Sequence, residues 1–298
     1  MRVVVITGPT ATGKTAVAVA FAEKYGAEII NADAMQIYRG MDIGTAKPTA
    51  AERGEIPHHL FDEVPAGAEF TAADYVKRAS AAIADISQRG KLAVIVGGTL
   101  FYIESLLKNR EFAEGDASVR AELESLTDVQ LRSELQASDP ESFAKFSDRR
   151  RIIRALEVYR VNGRTITDYN REDSLHPLSC EAEMYVLNYA KRENLYKAID
   201  KRVDSMVELG LTEEARELYS AGVRTAAIGY KELFDYFEGL SSFNEAIAII
   251  KRKSRNYAKR QLTWLRNSAI AKDAQYVEWT DKPSVSQFLG EIQWKQHI

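Results

Sequence analysis

Two glycines, a lysine and a threonine near the N-terminus have the spacing of a phosphate-binding loop. Residues 8–15 fit the pattern G-x-x-x-x-G-K-[ST] at every defined position, directly after the apolar run 3–6. In such a loop the backbone N–H groups converge on phosphate oxygens, and the following helix points its positive end at the same anion. Lys14 would reach the outer phosphates, and the Thr15 hydroxyl would help to hold Mg²⁺. The pattern predicts that the protein binds a phosphorylated small molecule through Gly8, Pro9, Thr10, Ala11, Thr12, Gly13, Lys14 and Thr15.

Further polar side chains follow the next two predicted strands. Asp33 and Gln36 come just after an apolar run at residues 28–31, and a Gly-Gly pair followed by Thr99 ends the run 92–96. The carboxyl ends of parallel strands meet at one edge of a sheet, so these side chains should share a rim with the phosphate loop. Asp33 could ligate Mg²⁺, orient a ribose or accept a proton, or it could only cap the next turn. The third strand lacks the terminal carboxylate of nucleotide-hydrolysing motors.

Strands that alternate with helical patterns indicate a parallel sheet. Helical periodicity covers residues 14–25 and 71–88, and Thr71 is well placed as an N-cap. From about residue 111 the pattern becomes helical and charged, and an alternating run at 184–189 then predicts another strand. We predict an α/β fold, with a P-loop parallel-sheet core and an all-helical insertion domain. The predicted segments are 1–111 (core, first part), 112–181 (helical insertion) and 182–298 (core, second part, with basic helices).

Composition bounds the class of protein. The 298 residues carry a net charge of −3, which makes no global case for a nucleic-acid partner. The single cysteine, Cys180, excludes an intramolecular disulfide framework and a cysteine-based zinc site. The N-terminus shows no signal segment, and no apolar run reaches the length of a bilayer span. We expect a cytoplasmic protein, with no membrane association and no obligate protein partner.

Two local basic segments could bind nucleic acid even though the net charge of the whole chain gives no sign of it. Four arginines (149, 150, 151 and 154) begin one predicted helix, and seven lysines and arginines occupy residues 251–266 without an intervening acid. Such segments are either solvated helix faces or contacts to a phosphate backbone, and the pattern alone leaves both open. The pair His58-His59 lacks further zinc ligands at sensible spacing, which favours hydrogen-bonded loop histidines.

Seven segments in a fixed order resemble one family. They are residues 8–15, 31–48, 58–62, 97–99, 151–158, 227–231 and 257–266. Together they are similar to tRNA dimethylallyltransferase, also called tRNA isopentenyltransferase, from the first strand to about residue 266. The resemblance implies transfer of a dimethylallyl group from dimethylallyl diphosphate to N6 of the adenosine 3′-adjacent to the anticodon in tRNA. Diphosphate is released, Mg²⁺ is required, and the phosphate loop would hold the prenyl donor rather than ATP.

The resemblance also implies roles for individual residues. Asp33 would accept or orient the N6 proton, while Lys14 and Thr15 with Mg²⁺ would stabilise the leaving diphosphate. The target base must leave its stack, and the insertion would grip the anticodon stem-loop. We expect Tyr257 and Trp264 to pack in the core. Residues expected to contact tRNA are Asp33, Ala34, Met35, Gln36, Thr99, Arg120, Arg150, Arg151 and Arg154.

This chain departs from the family pattern at three places. Thr12 stands where serine is common and keeps the hydroxyl. Ala34 replaces a usual serine, so a hydrogen bond that could position the carboxylate is missing. Leu100 replaces a usual glycine and would narrow the floor of the substrate tunnel.

Three alternatives share some of these features. An adenylate isopentenyltransferase would use free AMP, ADP or ATP, and would need neither the insertion nor the arginine-rich helices. A small-molecule kinase with a P-loop would transfer phosphoryl groups and need no prenyl donor. A non-catalytic RNA-binding paralogue would not need Lys14, Thr15 and Asp33.

Overall fold

The computed structural model describes residues 2–175 and 177–292. Met1, His176 and residues 293–298 lie outside the described residues. They belong to the first, second and third predicted segments, respectively. The chain forms two compact units, one of Lys108–Ser179 and one of Met1–Leu107 with Cys180–Ile298. No helix of the described ranges is both long and apolar enough to cross a bilayer.

A six-stranded parallel sheet lies at the centre of the larger unit. Its strands run in the order β4-β2-β6-β1-β7-β8, and β3 and β5 form a separate parallel pair. The strands are β1 (Arg2–Thr7), β2 (Glu28–Asn31), β3 (Tyr38–Arg39), β4 (His58–His59), β5 (Val64–Pro65), β6 (Ala93–Val96), β7 (Glu181–Tyr189) and β8 (Gln275–Trp279). Strand β1 lies between β6 and β7, and its residues 3–6 are fully buried. A strand that is covered on both faces has no solvent-facing position, and this is why its sequence is a continuous apolar run. The predicted α/β class is confirmed.

The histidine pair corrects one expectation. His58 and His59 do not lie in a loop but form β4, where they pair with Ile29 and Ile30 of β2. The expected hydrogen bonds are present, because His58 Nδ1 lies 2.7 Å from the Ile56 carbonyl oxygen and His59 Nε2 lies 2.8 Å from Glu28 Oε2.

Helices surround this sheet. Thr71 caps α3 in a capping box with Asp74, as its position predicted. One face of α10 is buried at Leu195, Ile199, Val203 and Met206, also as predicted. The helices of the larger unit are α1 (Lys14–Tyr25), α2 (Ala50–Arg53), α3 (Ala72–Gln88), α4 (Leu100–Leu107), α10 (Arg192–Glu208), α11 (Leu211–Ser220), α12 (Tyr230–Phe237), α13 (Phe243–Asn267) and α14 (Val285–Glu291), with a 3₁₀ turn at Ala269–Ala271.

The smaller unit is helical throughout its described elements. They are α5 (Ala117–Ser125), α6 (Asp128–Ser138), α7 (Pro140–Lys145), α8 (Arg149–Asn162) and α9 (Ile166–Leu175). Side chains of Asp116, Thr127, Asp139 and Asp148 cap the first four of these helices. Leu123, Leu131, Leu135, Ile153 and Leu156 form its core. These side chains lie on α5, α6 and α8, whose apolar faces pack together to form the bundle.

Candidate active site

The phosphate loop lies between β1 and α1. Gly8 has φ +142°, and a Cβ there would lie 2.1 Å from the Leu187 carbonyl oxygen on β7, so only glycine fits. The Thr12 hydroxyl is buried and donates to the Pro9 carbonyl oxygen at 2.8 Å, and the Lys14 ammonium donates to the same oxygen at 2.8 Å. No side chain caps the start of α1, which leaves its first N–H groups available to an anion.

A hydrogen-bonded turn after β2 fixes Asp33. The buried Asn31 accepts the Asp33 N–H through Oδ1 at 2.9 Å and donates through Nδ2 to the Leu60 carbonyl oxygen at 2.9 Å. Asp33 Oδ1 accepts the Met35 N–H at 3.0 Å, and Thr99 Oγ1 accepts the Ala34 N–H at 2.9 Å. Backbone contacts thus hold the carboxylate in place without a serine hydroxyl at position 34.

Gln261 of α13 joins two of these segments and was missed by the sequence reasoning. Its Oε1 accepts the Thr10 N–H at 3.1 Å, and its Nε2 donates to the Gly98 carbonyl oxygen at 2.8 Å. The side chain is 5% exposed. A polar residue on the buried face that carries Ala258 and Leu265 was the available signal, since buried polar groups need partners.

Asp33 lines two neighbouring cavities of different character. The smaller one, about 30 Å³, is lined by Lys14, Thr15, Gln36 and other residues. The larger one, about 380 Å³, also contains Thr10, Ala34, Met35, Thr99, Tyr257 and Arg260, with an apolar wall of Ile199, Val203, Met206, Leu211 and Ile250. A charged pocket beside a partly apolar one suits a ligand with an anionic head and a hydrocarbon tail.

Arg202 is the second functional candidate that sequence reasoning missed. It lies on α10, next to the buried face already predicted, and it lines the larger cavity. Its Nη2 donates to the Thr45 carbonyl oxygen at 3.3 Å. Burial lowers the pKa of Arg202, while the charge of Asp33 opposes this change. A cation beside an apolar helix face was the only sequence signal.

The same burial acts on the phosphate-loop lysine. Burial, and then the charge of Arg202, lower the pKa of Lys14 to about 7, while Asp33 acts in the opposite direction. Because this pKa lies close to neutral pH, the charge of the Lys14 side chain depends on pH in this range.

We expect the affinity of the ligand-free protein for inorganic diphosphate to fall as the pH rises above about 7. A bound anion raises the lysine pKa, so binding above this pH must take up a proton. The loss attributable to Lys14 should approach about tenfold per pH unit. Calorimetric titration in buffers of different ionisation enthalpy measures both affinity and proton uptake. The matched variant is Lys14→Met, in which only the ionisation of diphosphate itself still changes with pH. If the affinity of this variant depends on pH in the same way as that of the unmodified protein, the pH dependence does not come from Lys14.

Gln36 and Leu100, two further residues that the sequence singled out, are both buried, but only Gln36 lines a cavity of the site. Gln36 is buried, and its Nε2 donates to the carbonyl oxygens of Thr45 (3.1 Å) and Ala46 (3.2 Å), so it also supports the cavity wall. Leu100 is buried at the start of α4 and lies outside the lining of both cavities. The predicted narrowing by this side chain therefore does not occur in these cavities.

The expected core packing of Trp264 is wrong. The side chain is 40% exposed, its ring meets Phe101 edge to face, and its Nε1 donates to Glu104 Oε2 at 3.2 Å. Tyr257 is half-buried and lies in the lining of the larger cavity instead of the closed core. Burial, and then Asp33, raise the pKa of Tyr257.

The four arginines predicted to contact tRNA form two pairs in the smaller unit. Arg154 Nη1 lies 2.9 Å and Arg120 Nη2 lies 3.5 Å from the same carboxylate oxygen of buried Glu157. Arg150 and Arg151 are exposed on α8, and neither forms an ion pair within the described chain. Only this second pair offers cations that no carboxylate neutralises.

The polar cavity has oxygen ligands suited to Mg²⁺. The Thr15 hydroxyl and the Asp33 carboxylate belong to its lining. Mg²⁺ commonly binds one or two protein oxygens and completes its shell with water and substrate phosphates, so these residues fit that ion. Over residues 2–175 and 177–292, no group of three or more His, Cys, Asp or Glu residues is arranged to hold a metal.

Comparisons with known proteins agree in both sequence and fold. The model of the IPP transferase family matches residues 36–268. A tRNA dimethylallyltransferase of Geobacillus kaustophilus is 44% identical, covering 98% of this chain and 94% of that protein. The crystal structure of a tRNA isopentenylpyrophosphate transferase from Bacillus halodurans has a TM-score of 0.72 at 38% identity, covering 97% of this chain and 93% of the other.

The fold is also similar to that of a eukaryotic protein. The structure of a eukaryotic dimethylallyltransferase acting on tRNA has a TM-score of 0.83 at 31% identity, covering 94% of this chain and 74% of the other. The predicted resemblance is therefore confirmed, and this chain belongs to the IPP transferase family.

Proposed function

We propose that this chain is a tRNA dimethylallyltransferase. It transfers the dimethylallyl group of dimethylallyl diphosphate to N6 of the adenosine 3′-adjacent to the anticodon, and it releases diphosphate. The observation that supports this most directly is the position of Asp33, which lines both the phosphate-loop pocket and the partly apolar cavity. A single carboxylate can therefore face the nucleophile while the loop holds the leaving group. The proposed tRNA substrate supports a cytoplasmic location.

The donor end of the site stabilises negative charge. As the bond between the allylic carbon and the diphosphate oxygen breaks, its electron pair goes to diphosphate. Lys14 and the N–H groups at the start of α1 face that anion, and Arg202 adds a second cation from α10. Mg²⁺, held by Thr15, would neutralise further charge on the diphosphate. These groups are fixed before the reaction, so little reorganisation is needed as charge develops.

The acceptor end removes a proton. The adenine N6 lone pair is delocalised into the ring, so this amine is a poor nucleophile until its proton can leave. As N6 bonds to the allylic carbon, the Asp33 carboxylate accepts the proton. Thr99 positions Asp33 through the Ala34 N–H, and the apolar wall of the larger cavity receives the prenyl chain.

A set of parallel transfer and binding reactions separates this function from the alternatives. Labelled dimethylallyl diphosphate and Mg²⁺ are supplied with an anticodon stem-loop, the same loop with guanosine at the target position, or free AMP. We expect label on the adenosine loop alone. Label on AMP would indicate an adenylate isopentenyltransferase. Binding of the loop without label would indicate a non-catalytic paralogue. Phosphoryl transfer in a parallel reaction, with labelled ATP in place of the prenyl donor, would indicate a kinase.

We expect the double variant R150Q/R151Q to bind tRNA more weakly and with less salt dependence. If each exposed arginine neutralises one phosphate, the slope of log affinity against log salt falls by about 0.7–0.9 per residue. Filter binding across a salt series measures this slope. The matched control is K145Q/R164Q in the same unit, which removes two cations that already pair with Glu141 and Glu172. Equal slopes in the two variants would return α8 to the role of a solvated face.

A further inference from the structure

A third cavity lies in the larger unit, next to the carboxyl ends of β7 and β8. Its volume is about 350 Å³. Its wall includes Tyr189, whose hydroxyl donates to the Ala11 carbonyl oxygen of the phosphate loop at 3.4 Å. Lys259 of α13 lines this cavity, while its neighbour Arg260 lines the active-site cavity. Helix α13 thus contributes to both cavities, and neither the chemistry nor the predicted tRNA contacts use the third one.

The lining of this third cavity carries three cations that no carboxylate neutralises. Arg192, Lys259 and Arg266 line the cavity, and none of them pairs with a carboxylate among residues 2–175 and 177–292. Glu278 is the single acidic residue of the lining, so the net charge is positive.

Other cations of the basic segment on α13 form ion pairs with nearby carboxylates. Lys251 pairs with Asp204 at 2.5 Å, Lys253 with Glu232 at 2.6 Å and Arg255 with Asp200 at 2.5 Å. Carboxylates of α10 and α12 therefore neutralise three of the four cations in the first half of the segment, whereas Lys259 and Arg266 in its second half have no carboxylate partner among the described residues. Arg192 donates to the Tyr196 hydroxyl and Arg266 to the Leu262 carbonyl oxygen, but these neutral partners leave both charges in place. Cations that no carboxylate neutralises, grouped around a concave site, favour an anionic ligand.

The non-charged groups of the lining suit a nucleotide. Tyr276 is 47% exposed, so its ring face is available for stacking. Asn188 lines the cavity, and its shielded Oδ1 atom has no hydrogen-bond partner among the described residues, so a rotation of the side chain would let it accept from a ribose hydroxyl or a base amino group. Helix α10 begins at this wall with Arg192, and no side chain caps its first turn, which adds N–H donors for a phosphate.

We propose that this cavity binds a nucleotide of the tRNA outside the target adenosine, with its phosphate held by Arg192, Lys259 and Arg266 and its base stacked on Tyr276. This assignment rests on the proposed function, because it presumes that tRNA is the bound nucleic acid. The cavity would hold the RNA along α13, next to the cavity that receives the reacting base. A free mononucleotide has the same chemistry, and the experiment separates the two sources.

The test is equilibrium binding of tRNA without donor, across a salt series. The variant K259Q/R266Q should reduce the salt slope by about 1.4–1.8, as expected for two lost phosphate contacts. The matched control is R252Q/K272Q, which removes two exposed cations that neither pair with an acid nor line this cavity. Tyr276→Ala should weaken binding by about 5- to 150-fold, while Tyr276→Phe retains the ring and the affinity.

The outcomes separate cleanly. Equal slopes in K259Q/R266Q and R252Q/K272Q, together with unchanged affinity in Tyr276→Ala, would overturn the proposal. AMP binding that K259Q/R266Q abolishes, with tRNA affinity unchanged, would overturn the tRNA assignment in favour of a free nucleotide. Absence of prenyl transfer by the unmodified protein would overturn the proposed function, and the binding comparison would still report on this cavity.

Discussion

Asp33→Asn should lower kcat for prenyl transfer by about 10²- to 10⁴-fold, the usual contribution of a positioned general base. The amide keeps the size of the side chain and an oxygen that can accept the Met35 N–H, so the turn after β2 should survive. It cannot accept the N6 proton. Single-turnover transfer to an anticodon stem-loop measures the chemical step directly.

Binding measurements make this prediction specific. We expect the tRNA dissociation constant of Asp33→Asn to change little, because the carboxylate is one contact among many. Asp33→Glu is the matched variant, since it restores a carboxylate one methylene further from the backbone and should recover part of the rate. A kcat for Asp33→Asn within about twofold of the unmodified enzyme would be far below the contribution of a general base and would remove Asp33 from that role.

The sheet that carries this carboxylate was largely predictable from sequence. Strands β1 and β6 are short apolar runs and β2 has Ile29 and Ile30 at its centre, as is typical of buried parallel strands, and α1 begins at the predicted residue. The edge strands were missed for a physical reason. Strand β8 is exposed at three of five positions, and β4 has only two residues, so neither shows a hydrophobic run.

The site was predictable only where the sheet itself positions residues. Lys14, Asp33 and Thr99 follow three neighbouring strands, and parallel topology brings the ends of those strands to one edge. Arg202 and Gln261 come from helices far along the chain. Local periodicity gives the buried face of each helix, but it does not give the rotation that aims one polar side chain at the phosphate loop. These two residues therefore needed the tertiary structure.

Arg202→Gln should lower kcat by about 10²- to 10³-fold, the usual cost of removing one preorganised donor from developing negative charge. The half-buried Arg202 interacts with the charges of Lys14 and Asp33, and its one hydrogen bond within the described chain goes to the Thr45 carbonyl oxygen. Water screens such a cation poorly, so its effect on diphosphate should be large. Steady-state and single-turnover kinetics with varied donor separate weaker donor binding from slower transfer.

The pH profile distinguishes this role from a structural one. Arg202 is one of the two causes that lower the pKa of Lys14, so its removal should raise that pKa above about 7. The pH at which diphosphate affinity begins to fall should therefore move upward in Arg202→Gln. Lys201→Gln is the matched control, because Lys201 is exposed one residue away on α10. If Arg202→Gln loses activity and the pH profile stays in place, the residue supports the cavity wall without acting on the charges of the loop.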